Sequence, residues 1–287
     1  MTLLTPSVIR LLDSWLEEDI GRGDLSTLGL NIHSSSAYWT AKTSGIFCGG
    51  TLIETLFKKV DESIQINLLV QDGENFKANQ ELLSLEGPTK SLLTGERTAL
   101  NIAMHLSGIA TATSLMVQEL KSTGIKLTDT RKTTPGLRVL EKYATRCGGG
   151  VNHRLGLDDA VMLKENHIAW SKDMKTTLEL IRASAPWTTK IIVEAENPDQ
   201  AKEAVNAGAD GVLLDEISPD NLHTLVPQLR KLAEMRSIDL GPPHIVLEAS
   251  GINPKELKSY ASTGIDLISS SAPITRSHWT DISMRFN

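Results

Sequence analysis

After Gly124 the chain settles into a regular alternation, and this alternation restricts the fold more than any other feature. Six short apolar runs, "IKLTDTRK", "AVMLKEN", "KIIVEAEN", "DGVLLDE", "HIVLEASG" and "IDLISSSA", are separated by longer segments, several of them helical in pattern. The runs have strand length and composition. Three of the intervening segments, "PDQAKEAVNAG", "SPDNLHTLVPQLRKLAEM" and "NPKELKSYASTG", carry proline near the first turn beside a capping Asp, Ser or Asn. Strands alternating with helices make a parallel sheet with crossover helices, so the expected class is α/β.

Each apolar run ends in polar residues: Asp129 with Arg131 and Lys132, then Lys164, Glu194 with Glu196, Asp215, Glu248 with Ser250, and Ser269 to Ser271. In a β/α barrel the C-terminal strand ends converge on one mouth, where such folds keep their chemistry. One or two loaded ends describe a solvated rim. Six together describe a polar funnel.

The first hundred residues are mixed. "PSVIRLLDSWLEED" spaces its apolar residues as one helix face, "AYWTAKTSGIFCGG" reads as strand and turn, "TLIETLFKKV" as helix and "INLLVQDGE" as strand. The stretch from Pro88 to Gly124 is helical in composition, with Gly95 and Gly108 as places where it can break and Gly124 as a stop.

Several functions are disfavoured. A net charge of -6 argues against a broad nucleic-acid face. No apolar run reaches a membrane span, and the N-terminus lacks the basic start of a secretory signal. Cys48 and Cys147 stand far apart, against a zinc site or disulfide framework, and fit a reduced, cytoplasmic setting. "CGGGVNH" lacks the dinucleotide spacing, and there is no G-x-S-x-G elbow. Trp170, Trp187 and Trp279 read as packing residues, and His105 as a helical histidine with a local partner.

Charge is nonetheless uneven. Asp129 to His167 holds seven Arg or Lys and five acids, a basic island of +2 in an acidic chain. A solvated helix face accounts for such an island as readily as a site does. The funnel tips the balance toward a small anionic ligand. Arg131, Lys132, Arg138, His153, Arg154 and Lys164 are its candidate contacts, since Arg forks onto carboxylates and phosphates and Lys acts as a movable charge. Glu196 and Asp215, at consecutive strand ends, suit a hard cation such as Mg²⁺ that completes its shell with phosphate oxygens and water. "EASG" and "SSSAPIT" occupy the last two strand ends, the usual phosphate position of a barrel.

In order along the chain, "EDIGRGDLST", "ERTALN", "LSGIATAT", "TRKTTPGLRVLEKYATRCGGGVNHRLGLDDAVMLKENHI", "VEAEN", "GADGVLLDE" and "LEASG" resemble the quinolinate phosphoribosyltransferases. The resemblance implies an open β/α barrel at 111–273 plus an α/β sandwich domain built from 1–110 and 274–287. It implies transfer of phosphoribosyl from phosphoribosyl pyrophosphate to quinolinate, with loss of CO2 and with Mg²⁺. Arg131, His153, Arg154 and Lys164 would hold the quinolinate carboxylates, with Arg138 as a further anion contact. Lys132, Glu196 and Asp215 would serve the pyrophosphate and its magnesium, and Ser250, Gly251, Ser269, Ser270 and Ser271 the 5-phosphate. It also implies a homodimer in which Arg97 reaches the partner's site. In "ISSSAPIT" serine stands where the family commonly has glycine.

Two rivals remain at this stage. A related enzyme using nicotinate, or the branch tied to molybdenum transport, would not need this many cations for one carboxylate. A non-catalytic sensor of phosphorylated metabolites would have no use for the Lys132, Glu196 and Asp215 set.

Overall fold

The structure, a computed structural model, describes residues 3–29, 33–169, 173–236 and 244–287. From the N-terminus the chain forms α1 (Pro6–Ile20), β1 (Ser34–Ala41), β2 (Gly45–Ile46), α2 (Gly50–Val60), β3 (Gln65–Leu68), β4 (Asn75–Phe76), β5 (Glu81–Pro88) and α3 (Thr89–Glu119). Then come β6 (Lys126–Thr128), α4 (Arg138–Cys147), β7 (Val161–Leu163), α5 (Glu165–Ala169), α6 (Met174–Ser184), β8 (Ile191–Ala195), α7 (Pro198–Asn206), β9 (Gly211–Asp215), α8 (Pro219–Met235), β10 (Val246–Ser250), β11 (Leu267–Ser269), α9 (Ala272–Thr275) and β12 (Ile282–Phe286).

Packing divides the chain into two compact units: Met1–Leu115 with Thr133–Gly150 and Pro273–Asn287, and Met116–Lys132 with Val151–Ala272. Residues 133–150, grouped from the sequence with 111–273, thus pack in the first unit. The reason is α4, which buries Leu140 and Ala144 in the first unit's core and donates the Tyr143 hydroxyl to Asp72.

In the first unit an antiparallel sheet runs in the order β12–β1–β5–β3. Alternate residues of β1, Ala37, Trp39 and Ala41, point into its core. α1 starts where the Thr5 hydroxyl accepts the Val8 N–H, and it buries Val8, Leu12 and Leu16, one face at four-residue spacing. α3 runs unbroken through Gly95 and Gly108, contrary to the breaks the sequence allows. Those glycines serve close packing. A Cβ on Gly95 would lie 2.8 Å from the Phe57 ring, and one on Gly108 2.3 Å from the His278 carbonyl oxygen.

In the second unit, among the described residues, six parallel strands follow the order β6–β11–β10–β9–β8–β7. The sheet is open, with β6 and β7 at its edges. Asn197 and Ser218 cap α7 and α8 as expected, accepting the N–H groups of Gln200 and Asn221. Asn253 caps the third segment, but Pro254–Tyr260 winds as a 3₁₀ helix. Val193, Val212, Leu214 and Leu247 meet Ala201, Leu222 and Leu225 in the core between sheet and helices.

Other expectations change. Trp187 is 95 % exposed and so is not a packing residue, whereas Trp279, 54 % exposed, packs its ring against His105 with centroids 5.7 Å apart; among the described residues Trp39 is the fully buried tryptophan. Trp170 lies outside the described residues. By length and composition alone α3 is apolar enough to cross a bilayer, although more than half of its most apolar window is buried, as in a core helix.

Candidate active site

Side chains alternate along a strand, so each strand of the second unit turns only every second residue toward a given face. On β9 these residues are Leu213 and Asp215, and on β10 Glu248 and Ser250. The register aligns them: Glu194 and Glu248 both pair with Leu213, while Ser250 pairs with Asp215. Met162 and Lys164 follow from β7, and Ser269 from β11. With Thr130, Arg131, Lys132, His153 and Arg154 they line a cavity of about 270 Å³.

Buried Asp129 organises the near wall. Its Oδ1 accepts the backbone N–H of His153 at 2.9 Å, and its Oδ2 accepts the Asn152 amide at 2.7 Å. The Thr130 hydroxyl accepts the Lys132 N–H at 2.9 Å, which turns the chain between the two cations. One carboxylate thus ties the end of β6 to the His153–Arg154 segment.

The histidine's tautomer follows from its partners. Arg154 donates its backbone N–H to His153 Nδ1 at 2.7 Å, so in the neutral ring Nε2 carries the proton and donates it to Glu248 Oε2, 3.1 Å away. The second oxygen of Glu248, Oε1, is buried without a protein partner, as is the Ser269 hydroxyl. Buried polar atoms of this kind are groups a ligand can satisfy.

The cavity also concentrates like charge. Burial first, and then the neighbouring Arg131 charge, pull the Arg154 guanidinium below its ordinary value. Lys164 is paired with Glu194, and Arg154 Nη1 donates to the Ala160 carbonyl at 3.0 Å. Among the described residues no hydrogen bond or ion pair engages the Asp215 carboxylate.

Eight of the residues expected at the site line this cavity: Arg131, Lys132, His153, Arg154, Lys164, Asp215, Ser250 and Ser269. Others do not. Glu196 lies just past β8 and is exposed, its backbone N–H bonded to the Gln200 side chain. Arg138 opens α4 in the first unit, with Nε donating to the Thr133 hydroxyl. Arg97 is exposed on α3, also in the first unit. Ser270 and Ser271 turn into α9 beyond the lining. Gly251, next to Ser250, adopts φ +73°, and a Cβ there would lie 2.6 Å from Glu216 Cγ.

From the sequence, Asp129, Glu194 and Glu248 stand out only as strand-end residues, and Thr130 does not stand out at all. The two-residue spacings Glu248–Ser250 and Leu213–Asp215 were the available signal. His105 bonds Glu141, 36 residues further on, rather than a local partner. In the first unit it lines a separate cavity of about 360 Å³ with Trp15, Asp19 and Trp279.

Two family models match the chain: quinolinate phosphoribosyl transferase, N-terminal domain, over residues 24–107, and the C-terminal domain over residues 109–285. A Synechocystis protein described as a probable nicotinate-nucleotide pyrophosphorylase (carboxylating) is 44 % identical, over 99 % of this chain and 95 % of its own length. The human nicotinate-nucleotide pyrophosphorylase (carboxylating) is 33 % identical, over 94 % of this chain and 89 % of its own. The solved nicotinate-nucleotide pyrophosphorylase of Francisella tularensis superposes with a TM-score of 0.91 at 34 % identity, covering 99 % of this chain and 98 % of that one.

Proposed function

The chain belongs to the quinolinate phosphoribosyltransferase family, and from that membership we propose how its own residues divide the work. The enzyme transfers phosphoribosyl from phosphoribosyl pyrophosphate to quinolinate with decarboxylation, giving nicotinate mononucleotide, pyrophosphate and CO2 in NAD biosynthesis. The observation that carries the division is that Arg131, His153, Arg154 and Lys164 line one cavity, where the partly buried Arg154 feels the repulsion of the Arg131 charge. A dianion between them relieves that repulsion, and quinolinate is one.

Arg131, His153, Arg154 and Lys164 hold the two carboxylates, and Lys132 faces the pyrophosphate. Ser250, Gly251 and the Ser269 to Ser271 turn take the 5-phosphate, with Arg138 as an outlying anion contact. As the bond to pyrophosphate lengthens, positive charge grows at the anomeric carbon. The negative potential of Asp215 and Glu248 favours it. The pyridine nitrogen, held in line by its clamped carboxylates, attacks that carbon. Once quaternised, the ring accepts the electrons left as the adjacent carboxylate departs as CO2. No covalent nucleophile on the protein is needed.

The donor set fits Mg²⁺. Asp215 is a cavity carboxylate that no hydrogen bond or ion pair engages among the described residues, and with Glu196, just past the end of the neighbouring strand β8, it would hold the ion chiefly through substrate and water. Bound there, Mg²⁺ would supply charge neutralisation to the pyrophosphate, making it a better leaving group.

The exposure of Arg97, away from the cavity lining, supports a homodimer in which it serves the partner's site. Two free thiols support a cytoplasmic location.

Carboxyl-labelled quinolinate, incubated with phosphoribosyl pyrophosphate and Mg²⁺, tests the reading. Equimolar CO2 and nicotinate mononucleotide are expected. Free nicotinic acid acting as a competent intermediate would overturn the order of transfer before decarboxylation.

A further inference from the structure

Nothing in their spacing links the two cysteines, yet the first unit brings them together. Cys48 lies in the turn between β2 and α2 and is fully buried, while Cys147 ends α4 and is half-buried. Their Sγ atoms and a carboxylate oxygen of Asp72 all lie within 4.8 Å of one another.

The carboxylate is already committed. Asp72 Oδ1 accepts the N–H groups of Gly49 and Gly50 at 2.8 Å each, and Oδ2 accepts the Tyr143 hydroxyl at 2.6 Å. A cation here would have to break those bonds, and two sulfurs fall short of the three or four protein ligands a zinc-type ion takes. The two thiols are therefore left to each other. A hydrogen bond from Cys48 draws the Cys147 thiol below its usual range, whereas burial pushes Cys48 well up. An accessible, acidified thiol beside a buried, protonated one is the arrangement of an attacking and a resolving cysteine.

Both sulfurs ride on fixed backbone. Cys48 donates its N–H to the Ser107 hydroxyl at 3.0 Å. Cys147 leads into the glycine run whose packing leaves no slack: a Cβ on Gly148 would lie 2.3 Å from the Ala110 carbonyl oxygen, and one on Gly150 2.8 Å from Thr145 Cγ2.

We propose that Cys48 and Cys147 form a reversible cystine, made by a hydroperoxide, that locks the end of α4 to the β2–α2 turn. The Cys147 thiolate attacks one peroxide oxygen. An S–O bond forms, the O–O bond breaks, and the other oxygen leaves as hydroxide, taking a proton from solvent. Sulfur loses two electrons and the peroxide gains them. Cys48 then gives up its proton and attacks the sulfenic sulfur, forming S–S as the S–O bond breaks and water departs. Two thiols and one hydrogen peroxide become one cystine and two waters. A dithiol reverses it by exchange.

The test treats the purified full-length chain with one equivalent of hydrogen peroxide, alkylates it, and maps peptides by mass spectrometry without reductant. Expected are loss of both thiols, a linked Cys48–Cys147 peptide two hydrogens lighter, recovery with dithiothreitol, and a thermal midpoint raised by about 3 °C or more. Cys48→Ser, given two equivalents of hydrogen peroxide, should let Cys147 run on to sulfinic acid with no thermal gain. Should that buried substitution fail to fold, Cys147→Ser should leave Cys48 reduced under the same treatment. Wild-type protein carrying sulfinic Cys147 beside reduced Cys48, or keeping both thiols in excess peroxide, would overturn the proposal.

Discussion

His153 Nε2 stands 3.1 Å from Glu248 Oε2, with the ring's other nitrogen taken by the Arg154 N–H. The Arg154 N–H fixes which nitrogen of His153 bears the proton, and Glu248, accepting from that nitrogen, holds the ring in place in the cavity wall. Glu248→Gln keeps the shape but removes the charge. Hydrogen bonds to charged groups contribute about 1.5–3 kcal/mol, so kcat/KM for quinolinate should fall about tenfold to a hundredfold. Steady-state kinetics, alongside circular dichroism to confirm the fold, decides it, and an unchanged kcat/KM refutes the positioning role.

Lys132 is exposed and its removal should leave the fold intact. Lys132→Ala should cut kcat by about a hundredfold while moving the quinolinate KM less than about threefold, because its charge acts on the leaving pyrophosphate. Equal losses in both would erase the division of labour between Arg131 and Lys132.

Gly251→Ala would place a Cβ against Glu216, itself at φ +54°, in a left-handed turn. Strain of this kind costs about 1–3 kcal/mol. The Kd for phosphoribosyl pyrophosphate should rise about tenfold with quinolinate binding preserved. Isothermal titration with each substrate separately measures both halves of this expectation.

Gly108→Ala sets two effects against each other. Helix propensity favours alanine by about 1 kcal/mol. The contact at 2.3 Å with the His278 carbonyl opposes it, and overpacking costs about 1–3 kcal/mol. The clash should win, lowering the urea midpoint; a higher midpoint would mean the C-terminal segment moves freely.

Glu141 is a fully buried carboxylate in the first unit. Burial alone would raise its pKa, but hydrogen bonds from His105 and Thr134 outweigh it and the folded value is lowered. The unfolded chain, with a carboxyl near about 4.3, binds the proton first as pH falls. The stabilisation is thus complete above about 4.3 and is lost as pH drops through the lowered folded value. Urea midpoints of Glu141→Gln should decline less steeply over that acid range than those of the natural chain. Parallel curves would remove Glu141 from the acid limb.

How far the sequence reveals this depends on distance along the chain. The six strands are legible because each is a short apolar run, and their polar ends because a strand delivers its last side chains to one mouth. Lys164 and Asp215 were found that way. Glu196 shares the parity of Glu194 but lies beyond the end of β8, where alternation no longer holds, so its place outside the cavity lining is not legible from spacing. That Arg138 opens a helix packed in the first unit is a tertiary fact that its spacing does not carry. Gly95 and Gly108 read as helix breaks since glycine's need for close approach is invisible until Phe57 and His278 are in place. The meeting of Cys48 and Cys147 is of the same kind.

An open parallel sheet has two edges, and unpaired edges invite strands from other molecules. Here both edge strands, β6 and β7, are only three residues long. On β6, Val151 donates to the Leu127 carbonyl and receives the Asp129 N–H, occupying backbone groups a foreign strand would seek. The segment that brings His153 and Arg154 to the cavity thereby also guards the sheet against aggregation, so mutations that loosen it should reduce solubility along with activity.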